Sequence, residues 1–116
     1  YGEHDKAPQY LARGRYYWHS SASLDAQWIV SDTNWPREGL FLIHCPTGNS
    51  RYVCADGSSC SHAQWTHPHP SLSPNMKFVL FNSDRTGVGQ IYLAELTPDF
   101  LESIQRGYEC KPVLWA

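Results

Sequence analysis

The sequence predicts an all-β fold of the β-propeller type. It holds about two four-stranded blades and a short C-terminal helix. Three observations predict it. Short apolar runs of strand length alternate with Gly, Pro, Asn, Asp and Ser punctuation. Five Trp, seven Tyr and four Phe give a high aromatic load, which suits pleated, half-buried strands. Sliding the chain by fifty residues lays one half on the other without a gap. Ser23 falls on Ser73, Asp25 on Asn75, Trp28 on Phe78, Val30 on Leu80 and Gly39 on Gly89, and Phe41, Leu42 and Ile43 on Ile91, Tyr92 and Leu93. A period of about 40–50 residues with four short strands in each unit is the signature of propeller blades. An irregular β-sandwich is the competing reading, and the gapless register argues against it.

In chain order, residues 1–16 are polar and basic, with a candidate strand at Tyr10–Leu11. Tyr17–Ser23 is extended and Leu24-Asp25-Ala26 turns. Gln27–Asp32 is a strand, and Thr33–Gly39, with Asn34 and Pro36, is a loop. Leu40–Cys45 and Ser50–Cys54 are strands joined by the turn Pro46-Thr47-Gly48-Asn49. The pattern then returns: His67–Ser73 extended, Pro74-Asn75-Met76 a turn, Lys77–Asn82 a strand, Ser83–Gly89 a loop and Gln90–Leu96 a strand. Blade one is expected at about residues 17–56 and blade two at about 64–112. Thr97 is an N-cap with Pro98 at N1 of a short helix whose apolar face is Phe100, Leu101 and Ile104, and Gly107 ends it. The apolar tail Val113-Leu114-Trp115 can add a strand to a neighbouring blade or chain.

The chain's 116 residues suit one small domain. A net charge of −2 excludes an electrostatic case for nucleic acid or an anionic membrane. The longest apolar runs, Leu40–Ile43 and Phe78–Phe81, are far too short to span a bilayer. Cys45, Cys54, Cys60 and Cys110 lack CxxC spacing, which argues against a thiolate zinc site. Cys54 and Cys60 bracket a turn and are a disulfide candidate in an oxidising compartment, with free thiols the alternative.

The functional signal is Gln64-Trp65-Thr66-His67-Pro68-His69-Pro70. His67 and His69 are two apart, so on an extended segment their imidazoles share a side. The two prolines favour such a segment. His19 falls on His69 in the fifty-residue alignment, and each begins the first strand of its blade, the strand that lines the central channel. Three imidazoles and the amide of Gln64 therefore converge. Nitrogen donors with an amide oxygen and no thiolate suit a borderline divalent cation such as Mn, Fe or Zn. Ordinary surface histidines are the alternative, and it is the reading given to His4, His44 and His62, with His62 as the spare ligand.

These residues also carry a family resemblance. Tyr17-Trp18-His19-Ser20-Ser21, Ser31-Asp32-Thr33-Asn34-Trp35, Gln64-x-x-His67-Pro68-His69-Pro70 and Asn82-Ser83-Asp84-Arg85-Thr86-Gly87 resemble the C-terminal part of the oligogalacturonate lyases, with a TolB-type blade in the second unit. The resemblance covers roughly residues 15–97. It implies a seven-bladed propeller that holds Mn²⁺ through His19, Gln64, His67 and His69. It also implies β-elimination of short oligogalacturonides in pectin degradation, and a cytoplasmic location. Four cysteines and a start at Tyr1 leave secretion open. Such a metal neutralises the uronate carboxylate and stabilises the enolate-like intermediate. The family's base matches nothing in this chain. Arg13, Arg15, Arg37 and Arg85 are candidates for uronate carboxylates, with solvated or structural arginines as the alternative. Two blades cannot close a ring, so further blades are expected, from self-association or from other chain segments. The alternative function is a non-catalytic propeller-derived module for carbohydrate binding or self-assembly.

Overall fold

The computed structural model describes residues 7–12 and 15–107. The expectations for His4, Arg13, Cys110 and the tail Val113–Trp115 lie outside the described residues. Among the described residues, seven strands form two antiparallel meanders. The first sheet is β1 (Tyr17–Ala22), β2 (Trp28–Thr33), β3 (Leu40–His44) and β4 (Ser50–Cys54), in that order. The second is β5 (Ser71–Leu72), β6 (Phe78–Ser83) and β7 (Gln90–Glu95). The fourth strand expected for it is not among the described residues. Helix α1 (Pro98–Gln105) follows.

The β1–β2 and β5–β6 turns use one hydrogen-bond pattern. Ser23 Oγ donates to Asp25 Oδ1 at 2.7 Å and accepts from Trp28 N at 3.0 Å. Ser73 Oγ donates to Asn75 Oδ1 at 2.8 Å and accepts from Phe78 N at 3.0 Å. Ala26 and Met76 both take positive φ, 58° and 60°. The equivalence slips by one residue after the next loop. Val30 pairs with Leu42, whereas Leu80 pairs with Leu93 rather than Tyr92. The β6–β7 connection is thus one residue longer, and Leu93, not Tyr92, takes Leu42's place.

The core lies between the sheets. Trp28, Val30, Leu40 and Leu42 from the first sheet meet Val79 and Phe81 from the second, with Leu96 and Ile104 closing one end. Thr97 Oγ1 accepts from Phe100 N at 3.1 Å, which caps α1. Ile104 is buried, and Phe100 and Leu101 pack at the margin of the core. Gly107, at φ +97°, follows the last turn in the left-handed region that glycine tolerates. The opposite face of the first sheet is covered by the entering chain. The Arg15 guanidinium lies 4.4 Å from the Phe41 ring and pairs with Glu38.

Two expectations change, and the choice left open at Cys54 and Cys60 falls to free thiols. Tyr10–Leu11 is not a strand; it runs over the surface without joining a sheet. Cys54 and Cys60 are free thiols, because Cys54 packs on the core while Cys60 sits in a loop beside Arg37. His67–Ser73 pairs only at Ser71–Leu72. Pro68 and Pro70 have no N–H to give a ladder, and His69 leaves the extended region at φ +42°.

Candidate metal centre

The centre lies where β1 and the segment before β5 meet at the edge of the two sheets. His19 is on β1; Gln64 is in a short 3₁₀ turn, Gln64–Thr66; His67 and His69 follow that turn. The sheets bring the three histidines together. Their ring centroids are 4.0 Å apart for His19–His69, 5.5 Å for His19–His67 and 5.9 Å for His67–His69. One ring nitrogen from each falls in a group whose members lie within 4.8 Å of one another. Among the described residues, no other group of three or more His, Cys, Asp or Glu side chains is arranged to hold a metal ion.

Each imidazole is oriented by a different partner. His19 Nδ1 donates to Asp32 Oδ2 at 2.8 Å, and the other carboxylate oxygen accepts from the His19 backbone N–H at 2.6 Å. A carboxylate behind one ring nitrogen fixes the tautomer and leaves Nε2 as the lone-pair donor. His67 Nε2 lies 2.6 Å from the Ser61 carbonyl oxygen, which can only accept, so Nε2 carries the proton. His67 Nδ1 is then a buried lone pair, and it has no hydrogen-bond partner. An orphaned acceptor of that kind is costly in a purely structural cluster; a cation satisfies it. Gln64 Oε1 lies 3.1 Å from His69 Nε2, so a cation at the cluster would take the place of the shared proton. Desolvation of the part of the His69 ring that faces the cluster, then the neighbouring His19, hold its pKa below the ordinary value, against the opposing pull of Asp32. The donor set fits a divalent ion.

His67 and His69 do not converge by simple alternation. His67 is extended and buried, while His69 is exposed and left-handed. A non-glycine residue there costs about 1–3 kcal/mol and persists where the surroundings enforce it. Asp32 and the Ser61 carbonyl were missed as site residues from sequence. Asp32 had a signal: a carboxylate on the same strand face as the core residue Val30. Trp18 packs on the cluster, 4.1 Å from the His19 ring and 4.6 Å from His67.

The remaining candidates separate. His44 is buried against Trp28 and bonds Thr47, and His62 is exposed outside the cluster. Arg15 is committed to Glu38. Arg85 donates to the Asp56 carbonyl at 2.7 Å and lies 4.4 Å from the Tyr92 ring, a structural role. Arg37 donates to the carbonyls of Ser58 and Ser59.

Comparison with known proteins points the same way. The oligogalacturonide lyase of Pectobacterium atrosepticum and the oligogalacturonate lyase of Dickeya dadantii are each 38% identical over 64 residues, 52% of this chain and 16% of theirs. A solved oligogalacturonate lyase from Vibrio parahaemolyticus superposes at TM-score 0.65 and 29% identity, over 72% of this chain and 25% of that one. The chain resembles the oligogalacturonate lyases. An oligogalacturonate lyase in complex with manganese superposes at TM-score 0.69 and 27% identity, over 78% of this chain and 26% of that one. TolB from Acinetobacter baumannii, at TM-score 0.54 and 20% identity, shares the propeller-type fold. No family model matches the chain. The aligned part spans about a quarter or less of these lyases' length.

Proposed function

We propose that this chain is the metal-binding segment of an oligogalacturonate lyase-like protein, which cleaves short oligogalacturonides by metal-assisted β-elimination. One observation carries the reading: three converging imidazoles, with Asp32 behind His19 and an orphaned buried Nδ1 on His67. His19, His67 and His69 supply nitrogen donors and Gln64 an amide oxygen. Imidazole and amide donors without thiolate suit a borderline divalent ion, and manganese is the favoured one because a similar lyase was solved with manganese. Bound there, the ion supplies positive charge that neutralises a uronate carboxylate and lowers the barrier to losing the C5 proton.

The chain's own residues do the rest. Asp32 and the Ser61 carbonyl hold two imidazoles in the tautomers that leave a lone pair for the ion. His19, His67, His69 and Gln64 would each coordinate through a neutral donor, which would leave the charge of a bound ion available to a carboxylate. Trp18 covers one side of His19 and His67 and limits water there. We assign the base to none of the described residues.

The second reading, a module for carbohydrate binding or self-assembly, draws on the free face of the second sheet. Ile91 and Leu93 are 72% and 60% exposed on it. That face suits a further blade, from another segment or another copy. The assay that separates the readings incubates the protein with digalacturonate and manganese and follows the ultraviolet absorbance of the unsaturated product. Activity that chelation and His67→Ala both abolish supports the lyase. Turnover that survives metal stripping overturns the metal-assisted mechanism.

A further inference from the structure

A cavity of about 380 Å³ opens beside the histidine cluster, walled by Trp18, Trp35, Pro36, Arg37, Ser59 and Cys60. We propose that it is a subsite for one uronate residue of an acidic oligosaccharide. In it Arg37 takes the carboxylate, and the indoles of Trp35 and Trp18 take the faces of the pyranose ring. The choice of a uronate rests on the function proposed above; the pocket itself rests on its own residues.

Arg37 is positioned and still charged. Its Nη1 donates to the carbonyls of Ser58 and Ser59 at 3.1 and 2.8 Å, which fixes the guanidinium against the loop. Two carbonyls do not neutralise a guanidinium, and its fork of five N–H donors leaves capacity for a carboxylate. Among the described residues no carboxylate forms an ion pair with it. Arg15, by contrast, is paired with Glu38.

Trp35 is held where an indole has no structural reason to be. It is 74% exposed, at φ +54°, and its backbone N–H, not the indole, donates to Asn34 Oδ1 at 3.1 Å. A bulky residue in the left-handed region is a backbone outlier, and such outliers gather at ligand clamps. Trp18 is the shared wall. It lines the cavity and also packs on His19 and His67, so a sugar in the cavity lies one indole away from the cluster. A neighbouring residue of the same oligosaccharide can then reach the cluster. Flat aromatic walls with one cation select a ring that is apolar on its faces and anionic at its edge.

The test titrates the ¹⁵N-labelled chain, stripped of metal with chelator, with digalacturonate and separately with an uncharged digalactoside. Indole N–H resonances report the binding. Digalacturonate is expected to shift Trp35 and Trp18, and the uncharged sugar to bind at least about tenfold more weakly. Trp35→Ala and Arg37→Gln are each expected to raise the digalacturonate Kd about tenfold or more, with Arg37→Lys between. Mn²⁺ affinity is expected to stay unchanged in all three. Trp35→Ala removes an exposed side chain and carries the test should Arg37→Gln loosen the 58–59 loop. Unchanged digalacturonate affinity in Trp35→Ala, or no shift at Trp35 in the parent, overturns the subsite. A separate Mn²⁺ titration of the parent reads the histidine site, so loss of one reading is not mistaken for loss of the other.

Discussion

The same sheet face has opposite fates in the two halves of the molecule. Residues opposite each other in an antiparallel pair share a face. In the first sheet Trp28, Val30 and Leu42 lie on one face, and all are buried, at 6%, 0% and 0% exposure. The matching face of the second sheet carries Phe78, Leu80, Leu93 and Ile91, of which Leu93 is 60% and Ile91 72% exposed. The residue types are alike; the covering is not. Val79 and Phe81, on the reverse face of the second sheet, bury the first. Each sheet thus offers one face forward and receives its neighbour on the other, a head-to-tail arrangement that two sheets alone cannot close. Burial here is decided by what stands next to a strand, and the strand's own pattern only permits it.

The largest expected effect separates the two faces by mutation. Leu42→Ala should cost about 2–5 kcal/mol. Leu93→Ala in the isolated chain should stay within about 0.5 kcal/mol, as exposed positions do. Urea unfolding of both variants measures the gap. Equal costs would mean that the second sheet's outer face is covered in solution, and light scattering would then register a larger particle.

The comparison extends to polar residues. Asp32 and Asn82 are fifty positions apart. Asp32 orients an imidazole through Oδ2. Asn82 orients no imidazole: its backbone N–H donates to the Pro68 carbonyl at 2.8 Å, and its side-chain Nδ2 reaches the His67 carbonyl at 3.5 Å. One position therefore orients a candidate ligand and its counterpart holds the His-Pro-His segment in place. Asp32→Asn should weaken Mn²⁺ binding about 10–100-fold, as loss of a carboxylate behind a metal-binding imidazole does. Isothermal titration would test it, and an unchanged affinity would remove Asp32 from the site.

The strand positions were legible because apolar runs and turn residues act locally, and β4 was placed at Ser50–Cys54 from sequence. The turns at Ser23 and Ser73 were legible for the same reason. Convergence of His19, His67 and His69 was legible through the fifty-residue period, although the expected route, a uniformly extended His67-Pro68-His69, is broken by the left-handed His69. Three things were hidden. The one-residue slip in β7 depends on loop length and sheet pairing, which the apolar pattern does not fix. Asp32's role depends on a cross-strand neighbour. The Ser61 carbonyl is a backbone atom whose placement no side chain announces.

A smaller effect concerns the loop that carries Ser61. Asp84 Oδ1 and Oδ2 accept from Ser59 N and Oγ at 2.8 and 2.5 Å, and Oδ1 also accepts from Ser58 Oγ at 3.0 Å. The Ser59 side chain foremost holds the Asp84 pKa below its ordinary 3.8. A depressed carboxylate stabilises the fold above the unfolded pKa, and the contribution is lost as pH falls through the folded value. Stability should therefore decline below about pH 4, with a shallower decline in Asp84→Asn. Thermal melts between pH 3 and pH 5 would measure it; identical slopes would show that Asp84 does not clamp the loop.

The central claim is that His19 on β1 and His67 and His69 before β5 form one metal site, and Mn²⁺ titration followed by electron paramagnetic resonance tests it most directly. The account predicts one ion bound per chain, with affinity at least about tenfold weaker in each of His19→Ala, His67→Ala and His69→Ala. Failure of the parent to bind Mn²⁺, or binding that survives unchanged in His19→Ala, would contradict it.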